Sequence, residues 1–207
     1  NEFIAVVSHE LRTPLTSIRG TLGLLEGGVA GPLPPKAGGL VHIAHENAVR
    51  LGRLVDDILD LEKLEQGKLR LDCQPTVLAP LLEQALAVVA GTATAAAVRL
   101  TLVAQGPPQA KARVDGARLV QVLANLLSNA IKHSPAGGEV HLGLDRDQGM
   151  WRIEVRDQGP GVPESFHREV FEKFTQADPS EDRIVQGTGL GLAISRSLVE
   201  RMEGRIG

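Results

Sequence analysis

Apolar residues recur at alternating spacings of four and three over the first sixty positions. Leu11, Leu15, Ile18, Leu22 and Leu25 make one stripe, and Leu40, Ala44, Asn47, Leu51, Leu54, Ile58 and Leu61 make a second. A mean repeat of about 3.5 residues is the seam of a left-handed helix pair or bundle. Between the stripes, Gly27-Gly28-Val29-Ala30-Gly31-Pro32-Leu33-Pro34-Pro35 interrupts any helix. The pattern predicts a helical hairpin. Two helices alone bury little apolar surface, whereas two hairpins complete a four-helix bundle, so a homodimer through residues 1–67 is expected.

After Gly67 the period changes. Leu69, Leu71 and Cys73 alternate as a short strand that Pro75 ends, and a helix is expected from about Pro80 to Ala90. Val98, Leu100 and Leu102 alternate again, residues 117–133 are helical, and Val140, Leu142 and Leu144 form a strand. Trp151, Ile153 and Val155 form the next, with Asp145–Gly149 as a hairpin turn between the two. A final helix runs to about Met202. The fold class read from this order is a multidomain chain: an all-α hairpin over 1–67, then an α+β two-layer sandwich over 68–207.

Composition changes this picture little. The 207 residues carry a formal net charge of −3 and only 2% aromatic residues, so the cores are aliphatic and no electrostatic argument points to nucleic acid. The single cysteine, Cys73, rules out an intramolecular disulfide. Roughly 18 consecutive apolar residues are needed for a membrane span, and no run here reaches that, so no membrane segment is expected in this piece. Asn1-Glu2-Phe3 starts inside a helical pattern and Arg205-Ile206-Gly207 stops where a strand begins, so the chain reads as an excised fragment.

Two constellations carry chemistry. In Ser8-His9-Glu10-Leu11-Arg12-Thr13-Pro14-Leu15, His9 precedes Leu11 by about 200° around a helix and so faces away from the apolar seam. A solvated imidazole is nucleophilic near neutral pH, and the adjacent carboxylate of Glu10 can orient it or take its proton. Thr13 lies one turn on, over the same face, where its hydroxyl can hold a water. Pro14 removes a helical hydrogen bond and predicts a bend. The same string also fits a solvated helix face with a kink. His42, His45, His141 and His167 have no sequence partner and read as surface residues.

The second constellation reads as a nucleotide site without a P-loop. On the helix at 117–133, Arg118, Gln121, Asn125, Ser128, Asn129 and Lys132 share one face and Val122, Leu123, Leu126, Leu127, Ala130 and Ile131 the other. Asparagine is a poor helix former, so two of them four apart suit a ligand better than a solvated face. Amide oxygens can serve Mg²⁺ and Lys132 can reach phosphate. Asp157-Gln158-Gly159-Pro160-Gly161 follows a strand, where the carboxylate can accept the exocyclic amine of adenine and Gly159 and Gly161 let backbone approach. Gly187-Thr188-Gly189-Leu190-Gly191-Leu192 leads into a helix whose first N–H groups suit phosphate oxygens. The polar stretch before it, with Arg183, suits a lid. Each element alone also fits an ordinary surface loop.

Taken in order, these strings resemble the sensor histidine kinases. Ser8–Leu15 is similar to their phospho-acceptor box, Asn125-Leu-Leu-Ser-Asn129-Ala-Ile-Lys132 to their Asn box, and Asp157–Gly161 to their first glycine box. Phe171-Glu-Lys-Phe174 resembles their phenylalanine box and Gly187–Leu192 their second glycine box. The resemblance implies a dimerisation and phospho-acceptor hairpin followed by a Bergerat-type ATP-binding sandwich. It implies ATP and Mg²⁺ as cofactors, Asn129 on the metal with Asn125 beside it, Lys132 on the phosphates, His133 against the adenine and Asp157 on its amine. His9 would attack the γ-phosphate with Glu10 as base. The phosphoryl group would pass to an aspartate of a response-regulator receiver domain docked on the hairpin, and Thr13 would serve its removal from that partner. Where the family often has Arg after the phenylalanine box, Thr175-Gln176 stands here, and Arg183 is taken as the substitute. Family sequences also continue past position 207 into a further strand. A cytoplasmic location is implied, with an anchor elsewhere in the full-length protein left open.

Two rival readings use the same residues. ATPases of the gyrase, mismatch-repair or chaperone kind have a water-activating Glu where Asn125 stands, and an amide accepts no proton at neutral pH. A non-catalytic scaffold has no need of all five boxes.

Overall fold

The computed structural model of the chain describes residues 2–104, 106, 107, 109–175 and 188–207, with the backbone alone given for residues 2–6, 8, 9 and 104. The described residues form two compact units, Asn1–Leu69 and Arg70–Gly207.

The first unit is the helical hairpin. Helix α1 spans Glu2–Glu26 and continues through Pro14. It ends at the glycine segment, where Gly27 N–H donates to the Gly23 carbonyl at 2.9 Å and Gly28 turns with φ +77°. Helix α2 spans Pro35–Glu65 and starts on a proline, whose missing N–H costs nothing in the first turn. The two helices meet through Leu15 on α1 and Ala48, Val55 and Leu59 on α2, all buried. Gly52 lies in the same seam, its bare Cα facing the Leu15 side chain. At its margin Arg12 donates to Asp56 Oδ1 from Nε (3.1 Å) and Nη2 (2.6 Å). This seam differs from the sequence reading. Leu11, Ile18, Leu40 and Leu51, assigned to it by spacing, are each about half exposed or more. The helices carry more apolar surface than one partner helix covers.

The second unit packs helices on a sheet. Strand β1 (Gln74–Val77) pairs antiparallel with β3 (Lys111–Val114). In a second sheet, β4 (Glu139–Asp147) lies between β2 (Arg99–Ala104), parallel to it, and β5 (Met150–Arg156), antiparallel. Helix α3 (Leu78–Ala95) and helix α4 (Gly116–His133) cover this sheet, and helix α5 (Gly191–Arg201) packs on α4. Leu78, Leu82, Ala85 and Val89 of α3 join Leu123, Leu127 and Ile131 of α4 and Val140, Leu142 and Leu144 of β4 in one aliphatic core.

Three details correct the sequence reading. Pro75 does not end a strand over residues 69–73. It sits inside β1, a two-stranded ladder in which a proline without an N–H is tolerated on the unpaired edge. The β4–β5 turn is two residues, Gln148 (φ +47°) and Gly149 (φ +86°), between Asp147 and Met150, and the positive dihedrals match the strand twist. Finally, α3 is long and apolar enough to cross a membrane by length and composition. Its 78, 82, 85, 89, 93 spacing buries one face in the core, which is the behaviour of a core helix.

Candidate functional site

Helix α4 organises the second unit's site. It starts at Asp115, whose Oδ1 accepts the Arg118 N–H at 3.2 Å as an N-cap. Its apolar positions Val122, Leu123, Leu127, Ala130 and Ile131 are buried. Asn125, Ser128 and Asn129 sit half-buried on the other face, with Lys132 exposed. Arg118 Nη1 donates to Gln121 Oε1 at 2.7 Å on the same polar stripe.

At the end of α4 lies the Asp157 turn. Asp157 Oδ1 accepts the Gly159 N–H at 2.7 Å, which fixes the carboxylate against its own loop. A Cβ on Gly159 would lie 2.7 Å from the His133 carbonyl oxygen, so the glycine is what lets this loop close on α4. Gly161 follows in an exposed turn at φ +77°. The His133 imidazole has its pKa lowered, first by partial burial and second by the Lys132 charge, with Asp157 opposing. A neutral ring at the end of α4 suits an apolar or aromatic neighbour.

At the middle of α4 lies the start of α5. A Cβ on Gly191 would run into the Asn125 amide, so any larger residue there must displace that side chain. Asn125 Nδ2 donates to Ser195 Oγ at 3.0 Å, one turn further along α5. Just before the helix, the Leu190 N–H donates to Thr188 Oγ1 at 3.2 Å, and Leu190 is fully buried. Gly189 has φ +67°, and a Cβ there would be 2.9 Å from Phe174 Cα. Phe174 N–H donates to the Gly189 carbonyl at 2.9 Å, and Phe174 itself is exposed with φ +60°. A left-handed conformation at a bulky residue is strained, and such strain persists where surrounding contacts enforce it.

Positions 125, 174 and 189–191 are thus brought together at the middle of α4, and positions 133, 157 and 159 at its end. Arg183 and Gly187 lie outside the described residues. In the first unit, His9 is helical in α1 and its side chain is outside the description, while Glu10 and Thr13 are exposed on the same helix. Among the described residues no group of three His, Cys, Asp or Glu side chains is arranged to hold a metal.

Two features escaped the sequence reading. Ser195 is 2% exposed, the one buried polar side chain among the described residues. Its spacing of four from Gly191 and three from Leu198 was the available signal. His42 and His45, read as solvated, both clasp the Glu26 carboxylate through Nδ1 at 2.5 Å, tying the end of α1 to the start of α2. Nothing in a residue list marks a carboxylate 16 and 19 positions away as their partner.

A helical hairpin followed by a sandwich whose glycine turns close on an asparagine-bearing helix defines a class, a helical hairpin domain joined to an ATPase-type sandwich. Comparison with known proteins agrees. Residues 1–67 match the His Kinase A (phospho-acceptor) domain, and residues 114–207 match the family of histidine kinase-, DNA gyrase B-, and HSP90-like ATPases. The circadian input-output histidine kinase CikA of Synechococcus elongatus is 39% identical over 99% of this chain and 27% of its own length. The sensor protein GacS of Pseudomonas syringae is 40% identical over the whole chain and 23% of its own length. The crystal structure of full-length ShkA in complex with AMPPNP superposes with a TM-score of 0.76 at 31% identity, covering 98% of this chain and 41% of that one. The chain belongs to the histidine kinases, as a phospho-acceptor domain joined to their ATPase domain. It spans about a quarter of the length of the curated relatives CikA and GacS.

Proposed function

We propose that this chain transfers the γ-phosphoryl group of ATP to His9 and then to an aspartate of a response-regulator receiver domain, and that it also removes phosphate from that regulator. The observation that carries the reading is the junction of α4 and α5. Asn125 occupies the position where hydrolytic relatives of the fold place a carboxylate, and it is held at the mouth of the glycine segment by Gly191 and Ser195. An amide there offers no base for water, so the phosphoryl group is kept for a better nucleophile.

In this reading residues 1–67 are the dimerisation and phospho-acceptor domain and residues 68–207 bind nucleotide. Asp157 accepts the adenine amine and the neutral His133 ring flanks the base, supported by the fixed turn and the lowered pKa. The N–H groups of Thr188–Gly191 and the start of α5 face phosphate, with Gly187 and Arg183 contributing from the segment before. Lys132 adds charge. Phosphoryl transfer depends mainly on such positioning and neutralisation.

The donors also fit Mg²⁺. With no His or carboxylate cage among the described residues, the half-buried amides of Asn125 and Asn129 are the available oxygens, and Mg²⁺ is commonly held by few protein groups plus phosphate and water. When bound it would neutralise phosphate charge, with Asn129 its ligand. On the hairpin, Glu10 takes the His9 proton and Thr13 orients a water toward the regulator's aspartyl phosphate. The long-run location is the cytoplasm, where ATP and receiver domains are found together.

The test is incubation with γ-labelled ATP. An acid-labile, alkali-stable phosphoprotein is expected, with little free phosphate released in the absence of a regulator. Rapid multiple-turnover hydrolysis with no phosphoprotein would support the ATPase reading instead.

A further inference from the structure

A hydroxyl in an aliphatic core needs a reason. Ser195 is 2% exposed on α5, beside the buried Ile194 and three residues before Leu198, which is fully buried. Burying a hydroxyl costs free energy unless a hydrogen bond offsets it, and an alanine or valine would fill such a site without that cost. The Ser195 hydroxyl faces across to α4, where it accepts the Asn125 Nδ2 hydrogen bond at 3.0 Å. The other end of the same amide, Oδ1, lies where a Cβ on Gly191 would come within 2.4 Å.

Gly191 and Ser195 are four apart, one above the other on α5. One leaves room for the amide, and the other gives its nitrogen an acceptor. The side-chain amide of Asn125 therefore packs against one face of α5, with Gly191 beside it and Ser195 at its nitrogen.

We propose that Ser195 is a positioning residue that holds the Asn125 side chain in place beside the nucleotide. This rests on the reading of Asn125 given above. Because α5 begins directly at the second glycine segment, the same contact ties the orientation of Asn125 to the placement of that segment. Ser195 touches neither substrate nor metal in this proposal, and its effect on the reaction passes through Asn125.

Two measurements on the full chain test it. The first is the side-chain amide signal of Asn125 in a ¹⁵N-labelled sample, assigned by its loss in Asn125→Ala. In Ser195→Ala the two amide protons are expected to change shift and to exchange with water roughly tenfold faster, while Ser195→Thr, which keeps the hydroxyl, stays close to the wild-type signal. An unchanged Asn125 signal in Ser195→Ala overturns the proposal. The second is the initial rate of labelling from ATP. Ser195→Ala should lower it roughly tenfold while ATP affinity stays within about threefold, and should cause no further loss in an Asn125→Ala background. An equal loss in both backgrounds means a merely structural serine and also overturns it. If the wild-type chain takes no label at all, the kinase reading fails, and the amide signal still decides the role of Ser195.

Discussion

At the residue scale the site is governed by close approach. Three glycines sit where a single added carbon collides with a named group: Gly159 with the His133 carbonyl, Gly189 with Phe174 backbone and Gly191 with the Asn125 amide. The third collision is with the end of the Asn125 side chain, which must give way for any added carbon. Gly191→Ala is expected to displace Asn125 or the start of α5. Overpacking of this kind costs about 1–3 kcal/mol. The expected outcome is a lowered thermal midpoint, read by the fluorescence of the single tryptophan Trp151 in this unit, together with at least tenfold weaker ATP binding by calorimetry. Unchanged binding would mean that the amide does not stand where the nucleotide binds. The sequence announced these glycines as permissive but could not say which side chains they admit. Partners 15 to 66 positions away become visible only once α4, the Asp157 turn and α5 are packed together.

At the scale of elements, periodicity carried most of the fold. The hairpin, α4 with its two faces, the β4–β5 pair and α5 all follow from spacings of 3.5 and 2. What spacing did not resolve was which half of a broad apolar stripe each helix buries. In the first unit α1 and α2 meet through Leu15, Ala48, Val55 and Leu59, while Leu11, Ile18, Leu40 and Leu51 stay exposed. Strand β3, at four residues, was too short and too polar to register, and β1 was misplaced because Pro75 reads as a terminator wherever an edge is not foreseen. The histidine clasp belongs to this scale as well. Glu26 of α1 holds His42 and His45 of α2, and Glu46 on α2 faces His42 from the other side at 3.7 Å. Hydrogen bonding to Glu26, then the charge of Glu46, raises the His42 pKa above 6.5. Hydrogen bonds from His42 and His45 lower the Glu26 pKa below 4.5.

The signs give a window. A raised histidine pKa contributes stability that is full below pH 6.5 and lost as pH rises through the raised value. A lowered glutamate pKa contributes stability that is full above pH 4.5 and lost as pH falls through the lowered value. The clasp is therefore strongest between those limits. The helical signal of the hairpin should melt at a higher temperature at pH 6 than at pH 8, and Glu26→Gln should remove most of that difference. Equal midpoints in wild type, or an unchanged difference in Glu26→Gln, would show that the clasp does not act in solution.

At the scale of the whole molecule, the exposed half of the hairpin's apolar stripe calls for a covering surface. A second hairpin supplies one of matching pattern, which gives the four-helix bundle expected from the spacing. Leu51→Glu, on the exposed side of α2, should shift the chain from dimer to monomer in sedimentation velocity while leaving the Leu15–Val55 seam intact. A monomeric wild-type chain at tens of micromolar would contradict the bundle. The fold class and the five motifs were legible because each is a local string. The joint between Asn125, Gly191 and Ser195 was not, because it exists only where two helices cross.

In the proposed reaction one histidine of the six receives phosphate. Five of them have a role elsewhere or a contact of their own: His42 and His45 in the clasp, His133 beside the Asp157 turn, His141 against Glu139 at 3.6 Å, and His167 hydrogen-bonded to the Val162 carbonyl at 2.8 Å. The most direct measurement is mass-spectrometric mapping of the phosphoryl group after incubation with ATP and Mg²⁺, with digestion kept at alkaline pH so that a phosphohistidine survives. The expected result is one modified site, His9, with none in His9→Gln. Phosphate on His42, on His45 or on a serine or threonine, or persistent labelling of His9→Gln, would contradict it.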